Sequence, residues 1–140
     1  MREPWKVVFV EDDDDVRESL AQTLELAGFE VCSVASAEAA LPHLAPSFPG
    51  IVVSDVRLPG MDGLALMRHV RAADAAVPVI LLTGHGDVPM AVRAIREGAC
   101  DFIEKPFAAA RLVEAARSAA RQRASGDGAG RGGSSGGDVL

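Results

Sequence analysis

Two cysteines, Cys32 and Cys100, are all that 140 residues contain, which excludes a disulfide framework and a cysteine-based zinc site. Each is read as a small apolar residue of the interior. A run of membrane-spanning length is also missing, and the opening MREPWKVVFVEDDDD holds only a short apolar stretch ended by acids. Neither a signal peptide nor a membrane span is expected, so the chain reads as cytoplasmic. It lacks a basic surplus too: with a net charge of -6, direct nucleic-acid binding by the chain as a whole is not expected.

The length leaves room for one domain and no separate output domain. The boundary is expected near residue 123, followed by a flexible tail from 124 to 140 with seven Gly and three Ser, too poor in apolar residues to offset its ordering entropy. Within the domain, 49% hydrophobic residues suffice for one core of ordinary size.

Short apolar runs recur along it: Val7 to Val10, Ile51 to Val53, Val79 to Leu82 and a weaker Phe102 to Ile103, with Phe29, Val31 and Val34 suggesting one more. They are apolar at every position, as in strands covered on both faces of a parallel sheet. Between them, apolar residues fall at helical spacing, as with Val16, Leu20 and Leu24, or Leu64, Met67 and Val70. The spacing of Val88, Ala91, Val92 and Ile95 predicts one apolar helix face. Gly28 and Gly98 stand where helices should stop, Ser36 is a plausible N-cap, and Pro42 predicts a short or displaced second helix. Five strands alternating with five helices predict an α/β fold with a parallel sheet and right-handed crossovers.

In such a fold sites form beyond the carboxyl ends of the strands. Glu11 and Asp12 follow the first run, Asp55 the third strand, Thr83 the fourth and Lys105 the fifth, so one rim gathers them. Carboxylates about 4 Å apart repel by about 4 kcal/mol per pair at an effective dielectric of about 20. A hard divalent cation such as Mg²⁺, held by carboxylates, waters and phosphate oxygens, would offset this. The layout suits phosphoryl transfer to a carboxylate nucleophile: Asp55 as nucleophile, Glu11 and Asp12 toward the cation, Lys105 and Thr83 toward the phosphoryl group. Asp13 to Asp15 read as favourable charges at a helix N-terminus, and His43 and His69 as helix-surface residues.

Over residues 6 to about 121 the chain resembles receiver domains of bacterial response regulators, through VVFVEDD, SDVRLPGMDG, LLTG and DFIEKPF in order. The stretch LLTGHGDVPMAVRAIREGACDFIEKPF is especially similar to receivers of C4-dicarboxylate transport and nitrogen-fixation regulators. The resemblance implies a flavodoxin-like, doubly wound sheet of order 2-1-3-4-5. It makes Asp55 the phosphoacceptor, Asp12 a direct Mg²⁺ ligand, Glu11 a ligand through water and the main-chain carbonyl of Arg57 a further one. Thr83 and Phe102 match the paired switch residues, with a plain core aromatic as the competing reading of Phe102. Lys105-Pro106 matches a bond usually cis in the family, and the positions of Arg57 and His85 are ones that tune acyl-phosphate hydrolysis.

The function implied is a two-component switch rather than an enzyme. A sensor histidine kinase supplies the phosphoryl group, and the surface of the fourth helix, fifth strand and fifth helix, including Met90, Arg93, Arg96 and Glu97, contacts a second copy or a target. Two other readings stand beside it. One is a Mg²⁺-dependent phosphatase of the haloacid-dehalogenase type, whose D-x-D-x-V signature can be laid on Asp12 to Val16 but whose further acidic motif after the lysine is lacking. The other is a passive phosphate sink or adaptor.

Overall fold

The computed structural model describes residues 5–84 and 86–129. In chain order the elements are β1 Lys6–Val10, α1 Asp14–Leu26, β2 Glu30–Val34, α2 Ala37–Ala40, β3 Gly50–Asp55, α3 Gly63–Ala73, β4 Val79–Thr83, α4 Val88–Arg96, β5 Asp101–Glu104 and α5 Ala109–Ala129. All strand pairings are parallel, in the order β2-β1-β3-β4-β5. This is the doubly wound sheet expected, with the order reversing between β1 and β3.

Alternate side chains of each central strand feed two cores. Val8, Val10, Val52, Val79 and Leu81 pack with the buried residues of α2, α3 and α4. Val7, Phe9, Ile51, Val53, Ile80 and Leu82 pack with α1 and α5. Burial on both faces favours apolar residues, hence the unbroken apolar runs; the buried Ser54 of β3 satisfies its hydroxyl on the Asp55 carbonyl at 2.9 Å. Edge strand β2 is only partly covered, which is why its pattern is mixed.

The helix boundaries follow local chemistry. Asp13, Ser36 and Asp62 each accept a backbone N–H of the first turn of α1, α2 and α3. Gly28 and Gly98 take positive φ just beyond α1 and α4. Pro42 limits α2 to four residues, followed by a 3-10 turn over Leu41–His43.

Two differences from the sequence reading stand out. In α4 the buried positions are Ala91 and Ala94, while Val92 and Ile95 are each 38% exposed; the period is right and the face is rotated. Helix α5 continues to Ala129, so residues 124–129 of the stretch read as coil are helical, and 130–140 lie outside the described residues. Among the described residues no helix is long and apolar enough to cross a membrane.

Candidate functional site

Because β1, β3, β4 and β5 run parallel, their carboxyl ends open on one edge, and backbone bonds continue the ladder past the last strand residues to fix the height of each loop. The Glu11 amide donates to the Val34 carbonyl at 3.1 Å, the Val56 amide to Leu82 at 2.8 Å and the Lys105 amide to Thr83 at 2.8 Å. The Lys105-Pro106 peptide is cis. Residues far apart in sequence thereby become neighbours at the point where the strand order reverses.

Lys105 Nζ lies 2.8 Å from Asp55 Oδ2 and 3.4 Å from Glu11 Oε1. The other oxygens face backbone donors: Glu11 Oε2 accepts the Asp13 amide at 3.0 Å, and Asp55 Oδ1 accepts the Arg57 amide at 3.4 Å. Glu11 is 2% and Asp55 6% exposed, whereas Asp12 faces solvent. One carboxylate oxygen from each of Glu11, Asp12 and Asp55 lies within 4.8 Å of the others. Such a set, all hard oxygen donors and two of them buried, fits a hard divalent cation; Lys105 alone does not balance three carboxylates.

The electrostatics show the strain of this arrangement. Burial, together with a hydrogen bond and charge from Asp55, raises the Glu11 carboxyl from 4.5 to about 7 against the opposing pull of the Asp13 amide and Lys105. Burial alone would lower the Lys105 ammonium, but the hydrogen bond and charge of Asp55, aided by Glu11, outweigh it and the net shift is upward. A carboxyl raised on folding stabilises below its unfolded value and loses that contribution as pH rises through its folded value. Glu11 therefore stabilises at pH 4.5 and ceases to by about pH 7, a loss on the order of 3 kcal/mol. In metal-free buffer the urea stability of the wild type should fall across this window relative to Glu11→Gln, which mimics the protonated acid. Parallel pH profiles of the two proteins would contradict the assignment.

Thr83 is fully buried at the end of β4, its hydroxyl donating to the Gly84 carbonyl at 3.3 Å. The register pairs Leu81 with Phe102 and Thr83 with Glu104, so Thr83 and Phe102 share one face of the sheet. Phe102 is half-buried and packs against the core on the α2, α3 and α4 side. Arg57 reaches across the rim to Asp87, Nε to Oδ1 at 3.0 Å and Nη2 to Oδ1 at 2.8 Å. His85 lies outside the described residues, and His43 and His69 are exposed.

Two participants escaped the sequence reading. Gly63, the first residue of α3, lies so close to β3 that a Cβ there would fall on the Asp55 carbonyl oxygen and within 2.9 Å of the Val56 Cα. Its place in the DG pair of SDVRLPGMDG was the available signal. Asp87 is 8% exposed and pairs with a residue of another loop; an acid before a Val-Pro helix start reads as a cap, so nothing local pointed to Arg57.

The model of the response regulator receiver domain matches residues 7–117. The C4-dicarboxylate transport transcriptional regulatory protein DctD of Rhizobium meliloti (strain 1021) is 60% identical over 117 residues, covering 84% of this chain and 25% of the relative. The transcriptional regulatory protein FixJ of Azorhizobium caulinodans is 48% identical over 84% of this chain and 56% of its own length. The chain thus spans about a quarter to about half of the length of these relatives. Among solved structures, full-length FixJ from B. japonicum superposes with a TM-score of 0.79 at 43% identity, covering 87% of this chain and 60% of that one. A receiver domain protein from Clostridium thermocellum gives 0.82 at 27% identity, covering 86% and 97%.

Proposed function

The chain belongs to the response-regulator receiver domains of two-component systems, and from that premise we propose that it accepts a phosphoryl group on Asp55 from a sensor histidine kinase in a Mg²⁺-dependent reaction. The observation that carries this reading is the contact of Lys105 Nζ with both Asp55 and Glu11 beside the Asp12 carboxylate. A carboxylate oxygen of Asp55 attacks phosphorus, the P–N bond of a phosphohistidine breaks, and the imidazole leaves with the electron pair. Lys105 exchanges its bond to Asp55 for one to a phosphoryl oxygen. The Thr83 hydroxyl, now on the Gly84 carbonyl, turns to donate to another. Asp12, Asp55 and the Arg57 carbonyl would hold Mg²⁺, with Glu11 reaching it through water; the ion supplies neutralising charge for the equatorial oxygens. The chain acts as a switch in the cytoplasm, turning over only its own phosphoryl group.

Addition of saturating Mg²⁺ should raise the melting temperature, by about 2.7 kcal/mol of linkage at 100 times the dissociation constant. Asp12→Asn should lose most of this gain and Glu11→Gln less of it. An Asp12→Asn protein with the full Mg²⁺ response would count against the site.

Movement of Thr83 toward the phosphoryl group leaves room for the Phe102 ring, remodelling the face of α4, β5 and α5 for a second copy or a target protein. Moving such an equilibrium from 1:99 to 99:1 takes about 5.5 kcal/mol of differential interaction. Thr83→Ala should still be phosphorylated on Asp55 yet lose the change in amide exchange over β5, residues 101 to 104. Wild-type exchange changes in that variant would remove Thr83 from the coupling.

A further inference from the structure

Asp87 is a buried carboxylate that the phosphoryl chemistry above does not use, and its position is unusual for this chain. The N-cap residues of α1, α2 and α3 all turn their side chains onto their own helix, but Asp87, the N-cap of α4, makes no such bond. Its oxygens are given to Arg57 instead, Nε contacting both at 3.0 and 3.1 Å and Nη2 approaching Oδ1 at 2.8 Å. The pair is asymmetric: the Asp87 side chain is 10% exposed and that of Arg57 77%. One partner is fixed, and the other can leave.

Arg57 also belongs to the site, since its amide faces Asp55 Oδ1. A phosphoryl group on Asp55 would bring about two negative charges and three acceptor oxygens to the mouth where this guanidinium begins, a stronger partner than a single carboxylate. At its start helix α4 otherwise rests on half-buried Met90, which packs against the core. Its fully buried residues are two alanines, and its C-terminal end is tied to α3 by Arg68 and Glu97, Nε to Oε1 at 2.6 Å.

We propose that Asp87 is a positioning residue that holds the Arg57 guanidinium away from Asp55 in the unphosphorylated protein, and that phosphorylation draws Arg57 off, releasing the first turn of α4. This rests on the reading of Asp55 as phosphoacceptor and adds a second route from the phosphoryl group to α4, through a side chain other than Thr83.

The test is a double-mutant cycle on the full chain, read as affinity for beryllofluoride with Mg²⁺ and as amide exchange across residues 88–96. Asp87→Asn, which keeps a capping side chain, should free Arg57 and tighten beryllofluoride binding by about fivefold. Arg57→Gln should not tighten it, and Asp87→Asn added to Arg57→Gln should change affinity no further. Both single variants should speed exchange in α4 without the mimic. A merely structural role for Asp87 predicts the same affinity change in both backgrounds, and that result, or no tightening at all, would overturn the inference while leaving Asp55 as acceptor intact. Should Asp87→Asn not fold, unchanged α4 exchange in Arg57→Gln would overturn it equally. Failure of the wild type to bind beryllofluoride would overturn both this inference and the reading on which it rests.

Discussion

An Asp55→Asn protein incubated with a small phosphodonor and Mg²⁺ should take up no base-labile phosphate above background, while folding and melting as the wild type does or slightly higher. The amide keeps the size of the carboxylate and can accept from Lys105, which lies 2.8 Å from Asp55 Oδ2, but it has no anionic oxygen to attack phosphorus. It also removes one of three clustered carboxylates, and with it part of their mutual repulsion. Labelling at the wild-type rate would show that another residue is the acceptor. The measurement is phosphate incorporation against time, with Tm on the same samples.

Gly63→Ala should be the most damaging single-methyl change in the site. The added Cβ meets the carbonyl oxygen of Asp55 and the Cα of Val56, backbone atoms at the end of central strand β3 with no rotamer by which to yield. The Gly63 amide also donates to the Val56 carbonyl at 2.9 Å, so α3 cannot withdraw without breaking that bond. A loss on the order of 3 kcal/mol is expected from forced backbone movement, seen as a lower urea midpoint. Because the displaced backbone carries Asp55, phosphorylation should slow as well, even where the variant is folded. Wild-type stability together with a wild-type rate would contradict the close approach of α3 to β3.

The sequence made the sheet and the rim legible for one physical reason: central strands covered on both faces are almost wholly apolar, and the polar residues that close each run mark the rim. Glu11, Asp12, Asp55, Thr83 and Lys105 were found this way, and the structure brings Glu11, Asp12, Asp55 and Lys105 into contact range. Periodicity was less informative about facing. In α4 it could not tell that Ala91 and Ala94 turn inward while Val92 and Ile95 turn out, because small and branched apolar residues count alike in a pattern. A helix resting on alanines lies close to the sheet, and its larger apolar groups are left on the outer surface. Gly and Ser in 124–129 spoke for coil, yet α5 runs on to Ala129; extending a formed helix needs only one more hydrogen bond per residue, whereas starting one is costly. The Arg57 to Asp87 pair joins two loops 30 residues apart, a relation that neither loop encodes by itself.

The central claim is that a Mg²⁺-assisted phosphoryl transfer ends on the Asp55 carboxylate. Borohydride reduces an acyl phosphate on aspartate to homoserine, so peptide mass spectrometry after phosphodonor treatment and reduction reads the acceptor directly. The account predicts homoserine at position 55, formed with Mg²⁺ and absent when the metal is chelated; homoserine at another aspartate, or equal conversion with and without Mg²⁺, would contradict it.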